Sequence, residues 1–580
     1  MGEPQTTLSR EEVARIELGR TAISRRTAHL LVGVFLLTVF GVPAAQHVAD
    51  IRSYVRGERP RVLPDAYDVF TLLPHAARRG ARQGAAQQAA AGAGPFRRVV
   101  MANTAVLGAM DRYERGLEDA FVLRPVLLPR VQLGLVKWLG WSNEQAYLGR
   151  DGWLFYRPGM DHVTGPGFLS RRHINKRLAD RKEWQPARYV DPVAAIVGFA
   201  GQLKQRGIQL IVVPTPSKAS VHPEQFSPRY ADAAAALENP SFARFKAELE
   251  RGGVRVFDCA GALVEAKRRT GEPQYLETDT HWTPGAMERT AARLSDFIGR
   301  RVTLPPVPSP GYVRREAAVT NLGDVAVMLN LPAEQGVFQP QTALIHPVGR
   351  GTRYLWRPDR EADVLVLGDS FANVFSLPSM AWGESAGLVE QLSLRMQRPL
   401  DRIVRNADGA FATREMLGRE LARGRDRLAG KRLVIWQFAA RELSVGNWKP
   451  VDLVLGELAP GRFVVPESGE TMRVSGTVAD AAPAPRPGTV PYKDHIIAVH
   501  LVDLTDEAGN AIAGGQAVVY TWSMRDGVWT RAARLRWGQA ITARLRRWAD
   551  VSGQLEGINR AEPDGALQLE EPCWAEEVAE

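Results

Sequence analysis

Three near-continuous apolar runs limit what this chain can fold into: IQLIVV (Ile208 to Val213), DVLVLG (Asp363 to Gly368) and RLVIW (Arg432 to Trp436). A strand with one wet face alternates apolar and polar residues, whereas unbroken runs of this length need cover on both faces. Two shorter runs, VRVF (Val254 to Phe257) and RIV (Arg402 to Val404), join them between about Asn143 and Pro450. Helix-spaced segments separate all five. The pattern predicts an α/β domain, a parallel sheet flanked by helices, within 101–450.

At 580 residues the chain is too long for one typical core, and its flanks read differently. Thr27 to Ala45 contains no acid, Lys or Arg, and Arg20, Arg25 and Arg26 stand on its N-terminal side. About 20 apolar residues suffice to cross a bilayer, and the arginines favour an inside N-terminus. We therefore expect a cytoplasmic stretch 1–26, a single-pass inner-membrane anchor at 27–47, and everything later in the periplasm. A buried core helix is one alternative, disfavoured by the flanking arginines and the nearby N-terminus; a cleaved signal peptide ending near VPAA is the other, and it exports the same domain.

Residues 48–100 include RRGARQGAAQQAAAGAG (Arg78 to Gly94), whose composition predicts a low-complexity linker. Met101 to Gly140 has helical spacing broken by Pro125 and Pro129, predicting two short helices packed on the next domain. Beyond Gly461, MRVSGTV, HIIAVHLVDL, QAVVYTW and QAITARLRRW alternate with turn material. They predict a small all-β module, barrel or sandwich, over 460–560, followed by a short acidic tail, 561–580.

The formal charge of +10 comes from scattered arginines with no basic block interleaved with aromatics, so no nucleic-acid partner is expected. Cys259 and Cys573 fit neither a disulfide framework nor a zinc site and read as structural.

The chemistry concentrates in two motifs. In VLVLGDSFANVF (Val364 to Phe375) a strand runs through Gly368 into Asp369 and Ser370 and then a helix-compatible segment, which presents a serine at the strand's C-terminal edge, where open α/β sheets bind ligands. Serine needs a base to take its proton. YLETDTHWTPG (Tyr275 to Gly285) offers His281 just before a Thr283-Pro284 helix start, with Asp279 two residues back to fix the imidazole tautomer. Each motif alone is common; their conjunction predicts a Ser370, His281, Asp279 triad. A metal hydrolase using Asp279, His281 and Asp369 is the weakest alternative, and no metal is expected.

The Gly-Asp-Ser block resembles that of the SGNH hydrolases, but here the acid-base pair precedes the serine. That order, with LGRDGWLFYRP (Leu148 to Pro158), VVPTPSK (Val212 to Lys218), TDTHWT (Thr278 to Thr283), LGDSFAN (Leu367 to Asn373) and VIWQFAARELS (Val434 to Ser444), resembles the periplasmic alginate O-acetyltransferases, branches J and X, over roughly residues 100 to 450. The resemblance implies an SGNH-like domain that moves acetyl groups onto an exopolysaccharide acceptor. Ser370 would be the nucleophile, His281 the base and Asp279 its orienting partner. It also implies no bound cofactor, the acetyl donor being supplied by a membrane-bound O-acyltransferase partner.

The backbone N–H of Ser370 could serve as one oxyanion donor, and the second is open. RNADGAF (Arg405 to Phe411), with Gly409, and Arg441 are candidates, and Gly368, Asn373 and Lys218 complete the set of oxyanion or substrate residues. Gln437 stands where an acid is expected in many relatives. His222 and Lys218 follow a predicted strand at the ligand edge. Trp153, Phe155 and Tyr156 are expected beneath the sheet, and Trp522 and Trp529 either in the β core or against a glycan. Two other functions stay open: a carbohydrate esterase using the same triad with water as acceptor, and a non-catalytic polysaccharide-binding scaffold.

Overall fold

The computed structural model describes residues 24–579 except 57–64, 92–95, 181–188, 351–353, 357, 378–379, 407–408, 423–425, 457–462, 483, 486, 488–489, 513–514, 536–538, 563–566 and 568–569. The expected cytoplasmic stretch, Arg20 included, therefore lies almost wholly outside the described residues. The chain forms two compact units, residues 1–126 and 127–580.

In the first unit, helix α1 spans Arg25–Val55, 31 residues with a mean hydropathy of 2.0 in its most apolar window. It is long and apolar enough to cross a membrane, and its side chains over 30–40 point outward, Leu30, Phe35 and Phe40 among them. Helices α2 (Val69–Ala91) and α3 (Arg97–Asp119) pack against each other. The stretch expected as a linker thus supplies much of α2. Alanine is the strongest helix former, and small residues let two helices approach closely. At Gly80 a Cβ would fall 2.3 Å from the Met101 carbonyl oxygen and 2.7 Å from Ala102 Cα, so only glycine fits this crossing.

Helix α4 (Arg124–Gly134) continues through a π-helical turn, Leu135–Leu139, and stops at Gly140, whose φ of 62° is the left-handed cap conformation. The break from α3 falls at 120–123 rather than at the prolines. Pro125 occupies the first turn of α4, where a missing N–H costs nothing, and Pro129 is carried inside the helix. The segment packs on the following domain through Val136, which shares a buried cluster with Ala146, Leu154 and Val325, while Leu127, Leu128 and Val131 are exposed.

The five apolar runs form one five-stranded parallel sheet: β1 (Gln209–Thr215), β2 (Arg255–Val256), β3 (Val364–Gly368), β4 (Asp401–Val404) and β5 (Leu433–Ala439), in spatial order β4-β3-β5-β1-β2. Both faces are covered, as the unbroken runs require. Ile211, Val213, Val364, Val366 and Ile435 point to one cluster with Met287, Ala291 and Leu294 of α6 (Pro284–Arg301). Leu210, Val212, Leu365, Leu367 and Val434 point to the other, with Ile196, Phe199 and Leu203 of α5 (Pro192–Gln205) and Leu417 and Leu421 of α8 (Ala412–Ala422). Truncating any of these leucines to alanine would cost about 2–5 kcal/mol. Between α6 and α8 lies a short helix, α7 (Asp324–Met328).

The β module is a barrel. Strands β6 (Thr471–Ala481), β7 (His495–Thr505), β8 (Gln516–Arg525), β9 (Ala540–Arg547) and β10 (Cys573–Ala579) close in the order β8-β10-β9-β6-β7, with β7 pairing back to β8. Residues 573–579, expected as part of an acidic tail, are therefore a barrel stave. Cys573, Trp574 and Ala575 are buried, and β10 pairs parallel to β8 and antiparallel to β9. Closure removes the free edges an open sheet would present.

A short strand, Asn559–Ala561, pairs with β7 and delivers Glu562 to a seam with the α/β domain. There the carboxylate meets Arg560 at 3.0 Å, Arg419 of α8 at 3.1 Å and Arg405, just past β4, at 3.5 Å, and accepts from the Tyr520 hydroxyl.

Candidate active site

The segment 275–282 doubles back on itself. Tyr275 and Trp282 form an antiparallel bridge, the Leu276 N–H donates to the His281 carbonyl (3.0 Å), and the Thr283 N–H donates to Gln274 (2.9 Å). Thr283 then caps α6, accepting from the Ala286 N–H, with Pro284 in the first turn as its sequence predicts. The tip of the loop is fixed from two sides. Lys218 Nζ donates to the carbonyls of Leu154 (2.7 Å) and Glu277 (3.0 Å). On the other side Thr278 crosses the start of α7, where its carbonyl accepts the Ala326 N–H (3.1 Å) and its hydroxyl donates to the Leu322 carbonyl. Gly323 makes this crossing possible: its φ is 92°, and a Cβ would stand 2.6 Å from the Thr278 carbonyl oxygen.

The loop lands on the end of β3. His281 Nε2 is 2.8 Å from Ser370 Oγ, and Nδ1 is 2.7 Å from Asp279 Oδ1. The next residue repeats the contact: the Trp282 indole N–H donates to the Phe371 carbonyl (3.1 Å). Asp279 also accepts from the His281 N–H (3.0 Å) through Oδ1, and through Oδ2 from the Trp382 indole (2.8 Å) and the Asp324 N–H (2.9 Å). All three predicted triad residues are buried, Ser370 being 7% exposed.

Ser370 opens a single helical turn, Ser370–Asn373, capped by Asp369, whose Oδ1 accepts the Phe371 N–H (2.9 Å). Gln437 pins that cap. Its Oε1 accepts the Asp369 N–H (3.1 Å), and its Nε2 donates to Asp369 Oδ1 and to Thr215 Oγ1, both at 2.9 Å. The Ala439 N–H donates to Asp369 Oδ2 (2.6 Å). A glutamine both donates and accepts, so it serves where a carboxylate would face Asp369 with like charge. Gly368 is required by space, since a Cβ there would come within 2.7 Å of Ala372 Cβ.

The remaining candidates separate. Arg441 lies over the Phe371 ring (5.7 Å) and the Tyr156 ring (5.1 Å), beside Ser370's turn. With Lys218, Thr280, Phe371, Tyr156 and Ser217 it lines a slot of about 10 Å³, roughly one water molecule. The hydroxyl of Ser217 has no partner among the described residues. Asn373 turns away, donating to Asn406 (3.1 Å), and Gly409 faces Glu442, whose carboxylate accepts the Ala410 N–H. His222 holds the Gln274 N–H (2.9 Å) and Glu224, at the base of the loop. Trp153 and Phe155 are buried, with Lys218 Nζ over both rings. In the barrel, Trp522 packs edge-on against Trp574, and Trp529 donates to the Pro485 carbonyl.

One residue escaped sequence reasoning. Asp324, the first residue of α7, accepts the Thr280 N–H through Oδ1 (2.5 Å) and brings Oδ2 to 3.5 Å from His281 Nδ1. Its signal was present: LGDVAV (Leu322 to Val327) repeats the Gly-Asp-helix grammar of LGDS. Asp279, His281 and Asp324 place ligand-type atoms within 4.8 Å of one another, so the acid that joins the pair is Asp324 rather than Asp369. Both Asp279 oxygens already accept two hydrogen bonds each.

The electrostatics follow from packing two carboxyls against one imidazole. Burial disfavours charge on all three groups. For Asp279 it is outweighed by His281 and the donated hydrogen bonds, which hold the carboxyl well below the usual range. For His281, burial pulls the pKa down, but Asp279 and then Asp324 raise it overall. Asp324 has burial and the Asp279 charge against it and is pushed up to about 7. Burial also lowers Lys218 to about 7, against the attraction of Asp279, Asp324 and Glu277.

A family model described as "SGNH hydrolase-like domain, acetyltransferase AlgX" matches residues 146–440, just over half of the chain. The chain belongs to this family. The matched AlgX-family domain contains the parallel sheet, Ser370, His281, Asp279 and Asp324, and leaves α1 to α4 and the barrel outside. Among curated relatives, the "Probable alginate O-acetylase AlgJ" of Pseudomonas aeruginosa is 30% identical over 185 residues, 32% of this chain and 41% of that protein. Its namesake from Pseudomonas putida is 24% identical over 308 residues, 52% and 70% respectively. The chain thus spans two fifths to 70% of the length of these two AlgJ proteins. Among solved structures, the O-acetyltransferase domain of Pseudomonas putida AlgJ is 22% identical with a TM-score of 0.38, covering 52% of this chain and 93% of that one. Pseudomonas aeruginosa AlgX is 16% identical with a TM-score of 0.36, covering 66% and 86%.

Proposed function

We propose that this AlgX-family chain is an O-acetyltransferase that moves acetyl groups onto hydroxyls of an exported polysaccharide through an acetyl-Ser370 intermediate. The observation that carries the reading is the unbroken line Asp279, His281, Ser370, with links of 2.7 and 2.8 Å in a buried loop. His281 Nε2 takes the Ser370 proton as Oγ bonds to the acetyl carbonyl carbon, and Asp279 holds the imidazolium that forms. The tetrahedral intermediate expels the donor's leaving group, which receives that proton. A sugar hydroxyl then attacks the acetyl-serine, giving its proton to His281, and Ser370 is restored. Arg441 is the cation set to meet oxyanion charge, each well-placed donor being worth about 3 kcal/mol.

In this reading no cofactor is bound. A membrane-bound O-acyltransferase partner supplies acetyl groups, and α1 anchors the chain as a single inner-membrane span with the second unit in the periplasm. The length and apolar character of α1 support the anchor. Hydrolysis by the same triad is the second reading, favoured by the water-sized slot beside Thr280 and Phe371. One assay decides: the full chain is given an acetyl ester with and without an oligosaccharide acceptor. Transfer predicts acetylated sugar and a mass increment of one acetyl group on Ser370. Acetate alone, with unmodified sugar, would establish the esterase.

A further inference from the structure

Leu127 to Trp141 is built inside out. In a helix at the surface of a soluble domain the polar face meets water and the apolar face the core. Here Gln132 and Val136 are the buried residues, Gln132 Nε2 without a partner among the described residues. Leu127, Leu128, Val131, Trp138, Leu139 and Trp141 face outward, Trp138 80% and Trp141 65% exposed. Single exposed apolar residues are ordinary, but a continuous patch with two tryptophans marks a contact surface.

We propose that this helix lies flat in the headgroup region of a lipid bilayer and docks the second unit on the membrane. Three observations select lipid over a protein partner. No acid occurs between Asp119 and Glu144, whereas Arg130 and Lys137 do, a composition suited to anionic headgroups. Tryptophan beside lysine at a helix end is the residue pair that sits at membrane interfaces. The same chain also carries α1, long and apolar enough to cross a bilayer, and α1 supplies the tether on which this inference rests. From Arg124 to Leu139 the helix is about 24 Å long, short of the ~30 Å hydrocarbon core, so it lies on the membrane rather than through it.

The test uses the full chain in phosphatidylcholine–phosphatidylglycerol vesicles with an environment-sensitive fluorophore on Trp138→Cys. Cys259 and Cys573 are buried, so the introduced thiol takes the label. Leu139→Cys serves as a second site and Val528→Cys, exposed near the barrel, as the aqueous reference. The expected result is a blue-shifted emission at 138 and 139, quenched several-fold more by lipid-borne spin labels than at 528, and protected from iodide. A chain that floats with the vesicles while 138 and 139 stay as iodide-accessible as 528 overturns the docking but leaves the α1 anchor standing. Labels protected from iodide but quenched by the lipid-borne spin labels no more than at 528 show that protein covers the helix, which also overturns it. A chain that does not float removes the anchor reading and this inference with it.

Discussion

Two carboxylates in the second unit, Asp324 buried and Glu562 with its side chain 13% exposed, have opposite surroundings. Asp324 sits 6% exposed beside another acid and a histidine and is pushed up to about 7. Glu562 sits at the barrel seam among Arg560, Arg419 and Arg405, and burial is outweighed so strongly that its carboxyl is held far below the usual range. Desolvation is common to both, so it does not set the charge state; the neighbours do. The first cluster is poised to change protonation near neutrality, which suits proton transfer. The second is locked, which suits a tie between domains.

The largest effect should separate the clusters by function. Ser370→Ala or His281→Ala should lower acetyl transfer by about 10⁴-fold or more, and the double variant little further, because the residues act as a unit. Steady-state rates and loss of the acetyl-enzyme mass increment check this. Retained transfer in Ser370→Ala would end the comparison.

Next comes the seam. Glu562→Gln removes the carboxylate shared by three guanidinium groups, of which Arg419 keeps Glu415 at 3.0 Å, and should cost about 3–5 kcal/mol in denaturant unfolding, with the pH-rate profile of the remaining folded protein unmoved. Its pH dependence has a definite sign. Glu562 is held below the ordinary 4.5, so its contribution is complete above that value and is lost on acidification. Asp324 runs the other way: its contribution is present below the ordinary 3.8 and is lost as pH rises through about 7. Unfolding curves of both variants should therefore run close to the parent in acid and part from it as pH rises, Glu562→Gln falling below the parent and Asp324→Asn rising above it.

Gly323→Ala should cost about 1–3 kcal/mol through backbone strain and reduce transfer by loosening the Thr278 crossing. The smallest effect is expected of Asp324→Asn. The amide still accepts the Thr280 N–H but removes a charge that raises His281, so the acid limb of the rate profile should move to lower pH, with a maximal rate within about tenfold of the parent. An acid limb that stays in place would mean Asp324 does not couple to His281.

The sheet and the meeting of Ser370 with His281 and Asp279 were legible because their signals are local: unbroken apolar runs, a Gly-Asp-Ser turn and a Thr-Pro helix start. What was missed depends on partners distant in sequence. Alanine, glycine and glutamine in α2 carry no apolar stripe, and the close approach at Gly80 exists only once α3 is present. The stave β10 hides its core residues Cys573 and Ala575 among glutamates, so composition reads as a tail. Asp324 lies 45 residues from Asp279, and only the Gly323 crossing brings them together.

That His281 and Trp282 meet Ser370 and Phe371 in step has a consequence for how relatives of this protein vary. Two adjacent rungs, each spanning 89 positions, fix the alignment of the two strands of chain as a zipper does. Inserting or deleting one residue between Tyr275 and Trp282 would disengage both teeth at once. Length changes compatible with transfer should therefore accumulate between α6 and β3, outside the stretch that bonds Thr278 and Thr280, and the eight residues of the loop should keep their count even where their identities drift.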